Sequence, residues 1–277
     1  MMELSALRLT LFFTANLSLT EWDRLGMLER ETALYLALQS RLGGISFVTY
    51  GDGRDLAYRA RLSGIEVACN RWRLPWPWYW RWLAAVPARW KSGPVIFKSN
   101  QMPGADTALA LAKRFDKPFI ARCGYLHSDT ISRRHGEDSP EAARALEREG
   151  RVFRGADRVV VTTPLMAAQA IARHGLAPER VRVIPNYVNV DLFTPKPPVD
   201  GEKSRPRVLF VGRLDEQKDP FLLLEALAGE AVELWMIGLG PMREALERRA
   251  GQLGLSVRFL GSQPHGTLPD WMNRSDV

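Results

Sequence analysis

Short apolar runs alternate with longer amphipathic segments along almost the whole chain. The runs are rich in β-branched and aromatic residues, as buried parallel strands are, and the segments between them repeat apolar residues at helical spacing. This alternation predicts an α/β fold built from βαβ units. In the first two thirds of the sequence, the predicted strands are 7–13, 45–50, 65–68, 95–98, 119–122, 158–162 and 181–184.

Local signals mark the ends of two predicted helices. One helix is predicted over 26–42, and Gly43-Gly44 is expected to end it because glycine accepts the positive φ that follows many helices. Another helix is expected to begin after Thr163, with Pro164 in its first turn, and to end at His174-Gly175.

A polar, proline-rich stretch interrupts the alternation after residue 194. It predicts an interdomain linker at 199–206, between a first domain at 1–198 and a second at 207–277. Beyond it, the predicted strands are 208–211, 232–237 and 257–260, and the predicted helices are 220–227, 241–253 and 268–273. Ser275-Asp276-Val277 looks like the approach to a fourth strand, so we expect the second domain to be incomplete as it stands.

Composition narrows the class of protein. With 277 residues, of which 46% are hydrophobic and 25% charged, the chain can bury the core of one large or two ordinary domains. Cys69 and Cys123 are too few for a disulfide framework, which favours a reducing compartment. Glu3 stands where a signal peptide carries basic residues, and no apolar run reaches about 18 residues. We therefore expect a cytoplasmic location.

The charge balance favours an anionic partner. The chain has 38 Lys+Arg against 31 Asp+Glu, a formal net charge of +7. Net charge alone does not choose between nucleic acid, anionic lipid and a nucleotide.

The most specific motif is Val211-Gly212-Arg213, followed by Lys218 and a helix start at Pro220. A loop after a strand of a parallel sheet opens toward the ligand side of the sheet. Two cations held there, beside a helix N-terminus, are suited to a diphosphate. The alternative is a solvated turn in which Arg213 pairs with Asp215 or Glu216.

A second motif, Ile237-Gly238-Leu239-Gly240-Pro241, follows another predicted strand. Glycines there allow close backbone approach to a ligand, but they also make any tight strand-to-helix turn. Arg243 occupies the third glycine position of a dinucleotide fingerprint, which weighs against an NAD-dependent enzyme.

Together with Val257-Arg258-Phe259-Leu260-Gly261, these motifs resemble the nucleotide-sugar-binding domain of family 4 glycosyltransferases. Those enzymes retain anomeric configuration and have the GT-B fold, so the resemblance implies two Rossmann-like domains facing across a cleft. It also implies that Arg213 and Lys218 bind the donor's diphosphate. The backbone of Phe259, Leu260 and Gly261 would then lie near the nucleobase.

The resemblance extends to the first domain with departures. Gly26 matches one glycine of the family's phosphate loop, although Leu25 replaces the other, and its N–H would face the donor's phosphate. The alternative is a structural role, in which Gly26 gives the backbone freedom to turn at the start of a helix. Candidate cleft or acceptor residues follow the other strands, with solvation or helix capping as their alternative: Asn16, Asn100, Arg122 and His127.

An unusual stretch at 71–91 holds six of the nine tryptophans, from Trp72 to Trp90, interleaved with Arg and Lys. Tryptophan favours the boundary between water and lipid, and cations attract anionic head groups, so contact with an anionic membrane surface is one interpretation. Binding of acceptor sugars and plain packing of an irregular helix are the others.

The sequence thus predicts a retaining glycosyltransferase that moves a sugar from a nucleotide-diphospho-sugar to a glycan or lipid-linked acceptor in cell-envelope or exopolysaccharide synthesis. UDP and GDP both fit the donor. The nucleotide-sugar is a co-substrate, and the resemblance implies no metal site, no other cofactor and no nucleic-acid partner. No catalytic residue is assigned.

One departure bears on activity. The family's Glu-(seven residues)-Glu motif should begin a few residues beyond Val277, so we expect little or no transfer by a chain that ends there. The alternatives are therefore an inactive nucleotide- or glycan-binding fragment and, from other classes, a nucleic-acid-binding protein or an NAD-dependent enzyme.

Overall fold

The computed structural model describes residues 3–86, 88–196 and 205–277. These residues form two compact units, and the second takes in a short piece of the N-terminal half. The first unit holds 3–22, 31–86 and 88–187, and the second holds 23–30, 188–196 and 205–277. The predicted domain limits stay a prediction, because most of the predicted linker, 199–204, lies outside the described residues.

The first unit is built on a seven-stranded parallel sheet in the order β3-β2-β1-β4-β5-β6-β7. Its strands are β1 Arg8–Phe12, β2 Gly44–Val48, β3 Glu66–Ala68, β4 Val95–Ser99, β5 Phe119–Cys123, β6 Arg158–Val161 and β7 Val181–Val183. All seven lie where the apolar runs predicted them, within two residues at each end. The α/β class is therefore confirmed.

Helices connect these strands. They are α1 Leu19–Arg24, α2 Leu28–Leu38, α3 Trp76–Ala85, α4 Ala105–Phe115, α5 His127–His135, α6 Pro140–Gly155 and α7 Pro164–His174, with a 3-10 helix at Gly53–Leu62. The core under α4, α6 and α7 is aromatic and aliphatic, with Phe97, Phe119 and Phe153 almost fully buried.

The signals around α7 act as predicted. The Thr163 hydroxyl accepts a hydrogen bond from the Met166 N–H at 3.1 Å, Pro164 opens the helix, and Gly175 follows it with φ of +62°. The predicted helix over 26–42 is too long, because α2 ends at Leu38. Gly43 packs against the chain before β1 instead, where a Cβ would lie 2.6 Å from the Ser5 carbonyl oxygen.

The second unit has a three-stranded parallel sheet in the order β10-β9-β8. Its elements are β8 Arg207–Val211, α8 Pro220–Ala226, β9 Glu233–Ile237, α9 Arg243–Gln252, β10 Ser256–Gly261 and α10 Leu268–Asn273. A separate core of Leu214, Leu224, Leu234, Met236 and Leu246 fills it.

The expected approach to a fourth strand is also present. The Leu209 N–H donates to the Val277 carbonyl at 2.8 Å, and the Val277 N–H donates to the Arg207 carbonyl at 3.3 Å. These two bonds have the pattern of a parallel ladder. Residue 277 therefore pairs with the edge of β8 that β9 leaves open.

Of the helices in the described ranges, none combines the length and apolar character that crossing a bilayer requires.

Candidate functional site

The carboxyl ends of β8, β9 and β10 meet at one edge of the second sheet. Just beyond the strands, the Gly212 N–H donates to the Ile237 carbonyl at 3.0 Å, and the Gly238 N–H donates to the Gly261 carbonyl at 2.8 Å. The loop after each strand is thus tied to the neighbouring loop. This places the three second-domain motifs side by side.

The two glycines of the Gly-x-Gly turn let two loops touch through their backbones. A Cβ on Gly238, whose φ is +145°, would lie 1.8 Å from the Gly212 carbonyl oxygen. A Cβ on Gly240 would lie 2.1 Å from the Leu214 carbonyl oxygen. Contacts this short are impossible, so glycine is required at both positions to hold the Gly212-Arg213 loop in place.

Arg213 and Lys218 both extend into solvent from the loop after β8. Arg213 pairs with Asp215, with Nη2 3.1 Å from Oδ2, and the same nitrogen donates to the Gln217 side chain. The alternative of a surface ion pair is therefore present in this structure. An exposed pair of this kind contributes at most about 1 kcal/mol, so an incoming anion can replace it.

Lys218, unlike Arg213, has no side-chain partner in the described part of the chain. Its side chain is exposed and, within the described part of the chain, forms no ion pair or hydrogen bond through Nζ. Its Cγ lies 3.8 Å from the position of a Cβ on Gly212, so the stem of the side chain runs beside the glycine loop. Their roles toward a diphosphate stay a prediction.

Phe259, Leu260 and Gly261 form a bulge at the end of β10. Phe259 pairs with Met236 and Gly261 with Ile237, which leaves Leu260 as the extra residue. Gly261 has φ of +67°, and the Leu260 carbonyl accepts a hydrogen bond from the Gln263 side chain at 2.8 Å. The bulge turns the chain at the same sheet edge, while its proximity to a nucleobase remains a prediction.

Gly26 lies beside the chain that follows β10. Its φ is +67°, and a Cβ there would be 3.0 Å from the Gln263 carbonyl oxygen and 3.3 Å from the Ser262 hydroxyl. The Gly26 N–H donates to the Asp23 carbonyl at 2.9 Å, because it closes the turn after α1. In this structure the Gly26 N–H is engaged in that turn, and its role toward a donor phosphate stays a prediction.

In the first unit, two of the four candidate acceptor residues come together. Arg122 follows Ala121 on β5, and its Nη1 donates to the Asn100 carbonyl at 3.2 Å. Its Nη2 donates to the Asn186 side chain at 2.9 Å. The Asn100 amide is buried and donates to the Thr14 hydroxyl at 3.3 Å. Arg122 thus joins the carboxyl ends of β4, β5 and β7.

The other two candidates are placed differently. Asn16 is exposed with φ of +65°, in a turn closed by the Leu17 N–H donating to the Thr14 carbonyl at 3.0 Å. His127 begins α5, and its Nδ1 is buried with no partner among the described residues. Burial lowers the pKa of His127, and the positive charge of Arg148 lowers it further.

Lys98 is a polar residue of this edge that the sequence analysis missed. Its Nζ donates to the Tyr35 hydroxyl at 2.9 Å. Burial, reinforced by the neighbouring Arg122 charge, lowers the pKa of Lys98 to about 7. The signal in the sequence is a single lysine in the predicted strand 95–98, whose other residues are apolar.

A buried Ser, His and Glu also meet in the first unit, on α5, α7 and α6. Ser128 Oγ donates to Glu149 Oε1 at 2.9 Å, and His174 Nε2 lies 3.0 Å from the same oxygen. Both partners therefore use the carboxylate, whereas a nucleophilic serine would need its hydroxyl on the imidazole. The arrangement links three helices.

The tryptophans of the 71–91 stretch divide into two groups. Trp90 is buried in the core, and Trp80 and Trp82 pack against that core. Trp72, Trp76 and Trp78 are 50%, 39% and 58% exposed. Packing therefore accounts for one group and leaves the other to be explained.

Over the described ranges, no group of three or more His, Cys, Asp or Glu side chains is placed to hold a metal ion.

Two family profiles cover most of the chain. That of Glycosyltransferase Family 4 matches residues 32–192, and that of Glycosyl transferases group 1 matches residues 196–277. The first match alone spans more than half of the sequence.

Curated relatives share part of this similarity. A D-inositol 3-phosphate glycosyltransferase of Streptosporangium roseum is 32% identical over 164 residues, which is 51% of this chain and 38% of that protein. One of Thermomonospora curvata is 31% identical over 169 residues, 50% of this chain and 39% of that protein. The matched part is thus about two fifths of the length of these relatives.

Solved structures share the fold. Anabaena Alr3699/HepE in complex with UDP-glucose superposes with a TM-score of 0.69 at 16% identity, covering 98% of this chain and 72% of that one. Sucrose-phosphate synthase from Thermosynechococcus elongatus gives 0.70 at 18% identity, with 97% and 74% covered. The lipopolysaccharide outer core galactosyltransferase WaaB gives 0.59 at 18% identity, with 97% and 72% covered. The expected GT-B fold is confirmed, and with its profile matched over residues 32–192 the chain belongs to Glycosyltransferase Family 4.

Proposed function

We propose that this chain serves the retaining transfer of a sugar from a nucleotide-diphospho-sugar to a hydroxyl of a glycan or lipid-linked acceptor. The observation that carries the proposal is the loop at 212–218, which presents two exposed cations at the carboxyl edge of a parallel sheet. Ligands of open α/β sheets bind at that edge. The backbone contacts of Gly238 and Gly240 fix the loop before any ligand arrives.

The chemistry of the two cations suits a diphosphate. Arg213 offers a planar, two-pronged donor that can exchange Asp215 for a phosphate, and Lys218 adds a mobile charge for the second phosphate. The UDP-glucose bound in the Anabaena structure supports UDP as the nucleotide. In this proposal the uracil lies near the bulge formed by Leu260 and Gly261.

The transfer itself exchanges one bond for another at the anomeric carbon. The bond from that carbon to the diphosphate oxygen breaks, and a bond to the acceptor oxygen forms on the same face of the sugar. The acceptor's hydroxyl proton passes to the departing diphosphate. Arg213 and Lys218 stabilise the charge that develops on this leaving group, so the proposed step does not depend on a metal ion.

The first unit supplies the acceptor side in this proposal. Asn100 and Arg122 form a polar cluster at the carboxyl edge of the seven-stranded sheet, where Lys98 adds a second basic group. His127, at the start of α5, is a further candidate on this side of the sheet. The similar fold of WaaB, a galactosyltransferase of the lipopolysaccharide outer core, supports a role in cell-envelope or exopolysaccharide synthesis.

Binding of UDP, measured by calorimetry on the purified chain, tests the donor site. Removing a charge-assisted hydrogen bond to a phosphate costs about 2 kcal/mol, so Arg213→Ala should weaken binding by at least about tenfold. Lys218→Ala should do the same. Arg248→Ala is the matched control, because Arg248 is an exposed arginine of α9 in the same unit and has no partner in the described part of the chain.

Two results would count against the proposal. One is UDP binding that the Arg213→Ala and Lys218→Ala variants leave unchanged. The other is a loss of binding in EDTA, which would show that a divalent cation holds the diphosphate. A chain that binds UDP but transfers no sugar to any acceptor would instead support the nucleotide-binding alternative.

A further inference from the structure

The exposed tryptophans of α3 and the turn before it form a surface that packing does not explain. Trp72 and Trp78 are each at least half exposed, and each indole ring is covered on one face by an arginine. The Arg71 guanidinium carbon lies 4.0 Å from the Trp72 ring centroid, and that of Arg81 lies 5.0 Å from the Trp78 ring centroid. We call Arg71, Trp72, Trp78 and Arg81 the Trp/Arg surface.

The two arginines of this surface carry uncompensated charge. Neither Arg71 nor Arg81 has a carboxylate partner in the described part of the chain. By contrast, the neighbouring Arg73 is neutralised, with Nε and Nη2 at 3.1 and 2.8 Å from one oxygen of Asp52. A positive charge on an exposed indole face is a combination that suits an anionic, amphipathic partner.

An apolar cleft opens beside the Trp/Arg surface. It has a volume of about 240 Å³ and lies between the edge strand β3 and the end of α3. Val67, Cys69, Trp82, Val86 and Trp90 supply most of its apolar lining, and the charged side chains at the cleft are those of Arg59, Glu66 and Arg71. The Trp82 ring also lies 5.2 Å from the Trp72 ring, nearly at right angles to it. The cleft and the surface are therefore continuous.

We propose that this face docks on a bilayer containing anionic phospholipid. Trp72 and Trp78 enter the headgroup region, where an indole can bury its ring and keep its N–H hydrated. Arg71 and Arg81 bind lipid phosphates, and the cleft takes one acyl chain of a lipid held by Arg71. The inference does not depend on the transfer reaction, because it uses none of the donor-site residues.

Two features separate this surface from a sugar-binding platform. Trp76, the third exposed indole, is stacked on Tyr50 with ring centroids 4.6 Å apart, so one of its faces is already covered by an aromatic ring. Trp72 and Trp78 are instead covered by cations. Cations bring phosphate rather than neutral sugar to the surface.

Sedimentation with vesicles tests the docking. The purified chain should sediment with vesicles of phosphatidylcholine and phosphatidylglycerol, should remain in solution with phosphatidylcholine alone, and should dissociate as salt is raised. The double variant Trp72→Ser/Trp78→Ser should lose about tenfold or more of its partitioning. Both substituted positions are exposed, and the thermal unfolding midpoint checks that the variant folds.

A matched variant distinguishes binding through the Trp/Arg surface from binding through the net positive charge of the chain. Arg71→Gln/Arg81→Gln and Arg133→Gln/Arg134→Gln each remove two exposed arginines from the first unit. Only the first should weaken vesicle binding. Equal losses in both variants, no sedimentation with phosphatidylglycerol, or tighter binding to a single-stranded oligonucleotide than to vesicles would each overturn the proposal.

The acyl chain has its own readout. Phosphatidylglycerol with brominated chains should quench the fluorescence of Trp82 and Trp90, which line the cleft below the surface. Ala88→Leu, which narrows the cleft, should reduce that quenching in the bound protein. Quenching that this variant leaves unchanged would show that no chain enters the cleft.

Discussion

Single residues decide whether the donor loop keeps its shape, and Gly238 is the clearest case. Gly238→Ala places a methyl group 1.8 Å from the Gly212 carbonyl oxygen at a φ of +145°. Backbone rather than a flexible side chain must then move, so we expect a loss of about 3 kcal/mol in the free energy of unfolding. Weaker UDP binding should accompany it, because the displaced backbone is that of the Arg213 loop.

Urea denaturation of matched variants tests this expectation. Gly251→Ala is the control, since it makes the same chemical change in α9, where a Cβ meets nothing within 4 Å. Alanine should leave the stability there unchanged or raise it by less than about 1 kcal/mol, because Gly251 lies in the last turn of α9 and glycine is a poor helix former. Equal stability of the two variants would contradict the close backbone contact.

Lys98 should give the protein a pH dependence in the alkaline range. Its pKa is about 7 in the folded chain against 10.5 for an ordinary lysine, so the unfolded chain binds one more proton between these values. Stability therefore rises with pH over that interval, and the cost of burying Lys98 is fully present below pH 7. In Lys98→Met the rise should be shallower, by up to about 1.4 kcal/mol per pH unit.

The measurement is the free energy of unfolding of both proteins from pH 7 to 10. Lys113→Met removes an exposed lysine of α4 and should leave the slope unchanged. If Lys98→Met keeps the slope of the parent, Lys98 is charged and solvated in the folded state.

For single residues, the sequence predicted a position in the fold only at or just after the end of a strand. Arg213 and Asn100 follow strands and Arg122 lies near the end of β5, so all three could be placed at the carboxyl edge of a parallel sheet, while their roles toward a ligand stay predictions. The partner of Lys98 could not be predicted, because Tyr35 is 63 residues away in the sequence and lies on α2. The engagement of the Gly26 N–H with Asp23 was also invisible, since it depends on the turn after α1.

Among the elements, the strands were the easiest to predict. Buried parallel strands are apolar on both faces, so they stand out as runs such as Val-Ile-Phe at the start of β4. The end of α2 was not predictable, because Gly43 is set by its contact with Ser5 rather than by a helix end. The break between α5 and α6 at Gly136 depends on capping by Ser139, which periodicity alone does not reveal.

The network around Glu149 should hold α5, α6 and α7 together. Burial raises the pKa of Glu149, but hydrogen bonds from His174 and Ser128 outweigh it and leave the pKa below its usual 4.5. Glu149→Gln removes the charge at the centre of the network, and we expect a loss of about 3 kcal/mol at pH 7. The ionised carboxylate stabilises the fold above pH 4.5, and this contribution declines as pH falls through the lowered pKa.

Unfolding in urea at pH 7 and below pH 4 checks both the size and the sign. Glu147→Gln, on the same helix, removes an exposed carboxylate whose contact with Arg151 is 3.9 Å long, and should change stability by less than about 0.5 kcal/mol. A difference between Glu149→Gln and the parent that grows on acidification would reverse the assignment.

On the scale of the whole molecule, the second unit has a core of its own, so damage to that core need not spread to the first unit. Leu246 is fully buried among Leu214, Leu224 and Met236 in the second unit. Leu246→Ala should therefore cost about 3 kcal/mol within that unit. Hydrogen exchange followed by mass spectrometry should show faster exchange in β8, β9 and β10, while β4 and β5 keep the rates of the parent protein.

The short piece at 23–30 makes this test sharper. It belongs by contact to the second unit although it lies early in the chain, and Gly26 approaches Gln263 so closely that any side chain there would press on backbone. Its exchange should therefore rise with that of β10 in Leu246→Ala and stay unchanged in Leu222→Ala, where the leucine is exposed. The opposite outcome is that the exchange rate of 23–30 matches that of β1 in both variants. The packing of Gly26 against residue 263 would then be too weak to couple 23–30 to β10.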